Sequence, residues 1–86
     1  MAGVEEIRAG IALANDKASA SIAALQQAAQ SLEEAQQSLA MATSGSSQEE
    51  INQAHGLLAE AIQALTGTQS TIRACITSAE SYSARL

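Results

Sequence analysis

The chain contains two long stretches in which apolar residues recur at two positions of every seven. In the first stretch one position holds mostly large residues and the other mostly small ones. The large track is Val4, Ile11, Ala18, Leu25, Leu32 and Leu39, and the small track is Ile7, Ala14, Ser21, Ala28, Ala35 and Ala42. A heptad of this kind is typical of a helix that packs one stripe against a partner helix. The pattern therefore predicts a helix over about 4–43.

The second stretch repeats this arrangement. Its large track is Ile51, Leu58, Leu65, Ile72, Ala79 and Leu86, and its small track is Ala54, Ala61, Thr68, Cys75 and Tyr82. This predicts a second helix over about 48–85. Gly67 lies between two threonines, and all three residues have low helix propensity, so a local bend is expected there.

Between the two stretches lies the one run of turn-forming residues, Ser44-Gly45-Ser46-Ser47. Gly45 can adopt the positive φ that often ends a helix, and Ser47 with Glu50 has the spacing of a capping box. The sequence therefore predicts an all-α fold with a turn at 44–47. The chain is expected to form one domain over 1–86, an antiparallel two-helix hairpin of the alanine-rich coiled-coil type.

Antiparallel packing is expected to set large residues of one helix against small residues of the other. Leu32 then faces Ala61, and Leu58 faces Ala35, which allows a close approach of the helices. Both tracks together give the predicted intramolecular core: Ile11, Leu25, Ala28, Leu32, Ala35, Leu39, Ile51, Ala54, Leu58, Ala61, Leu65, Ile72, Cys75 and Tyr82.

A core of this kind would leave the residues that follow the small track uncovered on one flank. The predicted interface consists of Ile22, Ala29, Ile62, Gln69 and Ile76. Exposed isoleucines favour association, so the expected assembly is a homodimer that closes a four-helix bundle. The alternatives are a monomer with scattered surface isoleucines and a hairpin that binds a different helical protein.

Composition narrows the classes of partner. The 86 residues carry a net charge of −5 with four basic residues, which disfavours nucleic acid and an anionic membrane surface. No apolar run approaches the roughly 20 residues that span a bilayer, and the N-terminal residues are acidic where a signal peptide is basic. We expect a cytoplasmic protein, although leaderless export is compatible with these features.

Residues that could carry chemistry are few and separate. His55 has no ligand-type residue on its helix face, and Cys75 has only Arg73 close to it, so neither indicates a metal site or a reactive thiolate. The Glu33-Glu34 and Glu49-Glu50 pairs are expected to be solvated charges. The sequence thus predicts no catalytic residue, no cofactor, no small-molecule substrate and no enzymatic activity.

Five segments resemble small actinobacterial helical proteins of unknown function. They are EEIRAGIALAN at 5–15, EEA at 33–35, SGSSQ at 44–48, QAHGLLAEA at 53–61 and AESYSARL at 79–86. The same segments are similar to the helical N-terminal part of actinobacterial polymorphic toxins, including those with deaminase domains. This resemblance implies a targeting or assembly module without the toxic domain.

In size and hairpin plan the chain also resembles the WXG-type hairpins exported by the type VII system. Its turn contains no Trp-x-Gly, and Leu86 stands four residues after Tyr82, where the export signal has an acidic residue. No functional residue is carried over from that family. The expected function is a structural or interaction module that self-associates or binds helical partners, and the alternative is a secreted effector or export adaptor.

Overall fold

The computed structural model describes residues 3–45 and 47–86, and it consists of two long helices joined by a turn. Helix α1 spans Val4–Ala42 and helix α2 spans Glu49–Ala84. The helices contact each other, and the molecule is a rod of 64 × 17 × 15 Å. These observations confirm the predicted all-α hairpin.

The helix ends agree with part of the predicted turn chemistry. Gly45 has φ of 84°, the left-handed conformation that glycine adopts without a steric penalty. The N-cap of α2 is Gln48, so the predicted capping box on Ser47 is wrong because that serine precedes the cap position. Ser46, which was also assigned to the turn, lies outside the described residues. Acidic pairs occupy the first turn of both helices, at Glu5 and Glu6 and at Glu49 and Glu50. Their negative charges interact favourably with the positive end of the helix dipole.

The seam, where the two helices meet, is identified by the residues that are less exposed than their neighbours. The large-track residues of both helices are half-buried from Ile11 to Leu86. The second shielded line lies one residue after the small track. We call it the second seam track. It consists of Asn15, Ile22, Ala29 and Gln36 in α1, of Thr43 at the C-cap of that helix, and of His55, Ile62, Gln69, Ile76 and Ser83 in α2.

The small track therefore does not form the second half of the seam. Ala28, Ala35, Cys75 and Tyr82 are exposed, and the prediction that they belong to the intramolecular core is wrong. Each helix is rotated about its axis relative to the predicted packing. The rotation shields isoleucines where the predicted packing would have shielded alanine, serine or cysteine, and larger apolar side chains contribute more when they leave water. Ala54 and Ala61 remain half-buried beside the seam.

Helix α2 is continuous through Gly67. Three threonines around it donate their hydroxyl hydrogens to backbone carbonyls one turn earlier: Thr66 to Ile62 at 3.1 Å, Thr68 to Ala64 at 2.9 Å and Thr71 to Gly67 at 3.1 Å. In α1, Ser21 donates in the same way to Lys17 at 3.1 Å. These side chains complete their hydrogen bonds within their own helix.

Candidate interaction surface

Two flanks run along the rod, one on each side of the seam. In an antiparallel pair, equivalent heptad positions of the two helices lie on the same side. The uncharged flank is the small track of both helices, from Ala14 to Ala42 in α1 and from Ala54 to Tyr82 in α2. The charged flank consists of the residues directly after the large track, which are Ala12, Ser19, Gln26, Glu33, Ala40, Asn52, Ala59, Thr66, Arg73 and Glu80.

Two shallow grooves lie on the charged flank. One is near the open end of the hairpin, where Arg8 and Asp16 of α1 lie beside Glu80 and Ser83 of α2. The other is lined by Glu33, Gln36 and Gln37 of α1 and by Ala59, Ile62 and Gln63 of α2. Their linings place residues 33–37 alongside 59–63, as expected for an antiparallel hairpin. Most of the residues that line the two grooves are polar, and both grooves are shallow and open, so neither offers an apolar side chain a deep pocket.

The five residues predicted to bind a partner lie in the seam of the single hairpin. Ile22 is 9% exposed and Gln69 is 7% exposed, and these two are the most shielded of the described residues. Ala29, Ile62 and Ile76 are half-buried. The prediction that a lone hairpin leaves this flank uncovered is therefore wrong. Sequence reasoning missed the small track as the free surface, although large residues on the second seam track pointed to it.

The residues considered for chemistry remain apart. His55 is half-buried on the second seam track, and Cys75 is exposed on the uncharged flank. Within residues 3–45 and 47–86, no three histidine, cysteine, aspartate or glutamate side chains are grouped so that they could hold a metal ion.

Tyr82, which was predicted to belong to the core, lies near the open end of the hairpin. Its side chain is 46% exposed, and the Arg85 guanidinium lies 6.0 Å from the centre of its ring. At that distance the cation–π attraction is weak at an exposed site. The ring is thus available on the uncharged flank near the ends of the helices.

Other large apolar residues are exposed singly. Leu13 and Leu57 are each 57% exposed, and Met41 is 80% exposed. Their heptad positions differ from those of both flanks, although Leu57 borders Ala54 and Ala61 of the uncharged flank at the i−3 and i+4 positions of α2. In the part of the chain that the structure describes, neither helix has the combination of length and apolar character that a bilayer crossing requires.

Comparison of the chain with protein-family models, with curated proteins and with solved structures finds no match.

Proposed function

We propose that this protein is a non-enzymatic structural module that binds other helices along the length of its hairpin. The observation that carries the proposal is how few side chains are buried when only two helices pack together. Among the described residues only Ile22 and Gln69 are buried, and no side chain is fully buried. A partner helix would supply the packing that the hairpin alone lacks.

The surface area gives this argument a scale. The chain exposes 6106 Å², whereas a compact monomer of 8.8 kDa exposes about 4,800 Å². Its radius of gyration is 19.4 Å, against about 12 Å for a compact domain of this length. The rod thus has an excess of about 1,300 Å², which is more than the roughly 800 Å² that each partner contributes to a stable interface.

The side chains that would benefit from a partner are the aliphatic residues of the large track. Leu25, Leu32 and Leu39 of α1 and Leu58, Leu65 and Ile72 of α2 are each half-buried. Each is therefore shielded in part and still partly open to water. In a toxin or secretion system, helix binding of this kind would serve targeting or assembly.

Site-specific photo-crosslinking in the native cell tests the proposal. A photoreactive benzoyl-phenylalanine is placed at Ala28, on the uncharged flank, or at Glu34, on the outer side of α1; both positions are exposed. We expect discrete covalent adducts from position 28, formed with the same chain or with another helical protein, and none from position 34. No adduct from position 28, or the same adducts from both positions, would contradict a directed binding surface.

A further inference from the structure

We infer that the partner which covers the uncharged flank is a second copy of this chain, so that two hairpins pair flank to flank as a four-helix bundle. The inference rests on the proposed function and specifies its partner. It places the dimer interface on the side of the seam opposite to the charged flank. Ile22, Ile62 and Ile76 remain within each hairpin.

The first argument is the order of the tracks around each helix. Helical geometry places the large track between the second seam track and the small track. The open side of each large-track residue therefore faces the uncharged flank. A second hairpin on that flank would cover the half-buried leucines and the exposed alanines together, and large and small tracks would then form the core of the bundle. A heptad with two apolar tracks is the pattern of such a core.

The second argument is the distribution of charge. The chain carries a net charge of −5, so two copies repel each other unless their charges are kept apart. Neither the large track nor the small track contains a charged residue in either helix. The charged flank contains Glu33, Arg73 and Glu80 and borders grooves with Arg8 and Asp16. The tracks of the uncharged flank contain no acidic residue, whereas pairing of two charged flanks would bring Glu33 and Glu80 of both copies to the interface.

The third argument is the available area. The uncharged flank runs from Ala14 to Ala42, which is about 42 Å at a rise of roughly 1.5 Å per residue. With the rod 17 Å wide, its projected area is about 700 Å², close to the roughly 800 Å² per partner of a stable dimer. The side chains of the flank are mostly alanine, serine and threonine, which let helices approach to about 8 Å. A two-fold dimer needs a surface that fits itself, and a long surface of small uncharged residues meets that requirement.

Sedimentation equilibrium of the purified full chain tests the inference directly. At micromolar concentration we expect twice the chain mass of 8.8 kDa. The double variant Ala28→Glu with Ala35→Glu places two carboxylates on the uncharged flank. We expect its dimer dissociation constant to weaken by about 100-fold or more, because like charges brought together across an interface are strongly unfavourable. Both positions are exposed and glutamate is a good helix former, so circular dichroism should show an unchanged hairpin.

The matched control is Ser19→Glu with Gln26→Glu, which adds the same charge to exposed positions of the charged flank on the same helix. We expect this control to dimerise with a constant within a few-fold of that of the unmodified chain. A monomeric unmodified chain would overturn the second-copy inference, while photo-crosslinking to a different protein would leave the proposed function standing. Equal weakening by both double variants would overturn the choice of flank.

A second measurement needs no substitution. Cys75 is exposed on the uncharged flank of the single hairpin. A flank-to-flank dimer would shield its thiol, so its rate of reaction with a maleimide should fall as the protein concentration rises through the dissociation constant. A rate that is independent of concentration while the mass doubles would place the dimer interface on another surface.

Discussion

Replacing Ile22 with alanine tests the rotation that distinguishes the structure from the predicted packing. Ile22 is 9% exposed and lies in the seam. The change removes the equivalent of three methylene groups, each worth about 0.8 kcal/mol when buried, so about nine-tenths of 2.4 kcal/mol is lost. Because the seam is only two helices thick and can relax around the gap, the cavity should add little. We expect the free energy of unfolding to fall by about 2–3 kcal/mol.

Leu13→Ala is the matched control for this experiment. Leucine and isoleucine are isomers, Leu13 lies on the same helix, and its side chain is 57% exposed. The same arithmetic gives a loss of about 1 kcal/mol. Neither residue belongs to the uncharged flank, so association should affect both variants equally when they are compared at one protein concentration.

Urea unfolding followed by circular dichroism measures both losses. Because Ile22 lies in the seam, we expect Ile22→Ala to lower the free energy of unfolding at least twice as much as Leu13→Ala does. If the predicted packing were right instead, Ile22 would lie outside the seam of the hairpin. An equal loss in the two variants, or a smaller loss for Ile22, would refute the seam described here.

Three further substitutions test other features of the hairpin by urea unfolding. Gly67→Ala should raise the free energy of unfolding by about 1 kcal/mol, because α2 is continuous there and an added Cβ meets open space; a loss would indicate that the helix is interrupted. Gly45→Ala should lower it by about 1–2 kcal/mol, because φ of 84° is strained for alanine, and a neutral result would mean that the turn adopts another conformation. Gln69→Leu should raise the free energy of unfolding by about 1 kcal/mol, because it replaces a polar amide with an apolar side chain at a position that is 7% exposed. Destabilisation would show that the amide makes hydrogen bonds that the seam requires.

The hairpin could be predicted from the sequence because its signals are local. Apolar residues at a seven-residue spacing require a helix whatever lies opposite, and Gly45 occupies a position that requires a positive φ. The start of α2 is one residue later than the capping box on Ser47 implied, since the helix begins at Glu49. Boundaries of this kind depend on backbone geometry that residue types determine only approximately.

The choice of the second seam track could not be read from periodicity. A track that lies three residues after each large residue and a track that lies four after it have the same seven-residue spacing, and Ala28 and Ala29 are identical in type. The outcome depends on side-chain volume summed over both helices. Ile62 and Ile76 exceed their neighbours Ala61 and Cys75 in apolar area, and this difference favours the observed rotation. The rotation also changes which surface is exposed, because the small track lies outside the seam and becomes the uncharged flank.

The hydroxyl groups of Ser21 and Thr68 change the energetic character of the uncharged flank. Each donates its hydrogen to a carbonyl of its own helix, at 3.1 Å and 2.9 Å. A polar group that leaves water without a hydrogen-bond partner imposes a penalty of about 1–3 kcal/mol, but these two donors are already satisfied in the free hairpin. Dehydration of the flank therefore leaves neither donor stranded, and the threonine methyl group is free to pack. Burial of the uncharged flank against a partner therefore carries little desolvation penalty from the Ser21 and Thr68 hydroxyl donors, although both residues are polar.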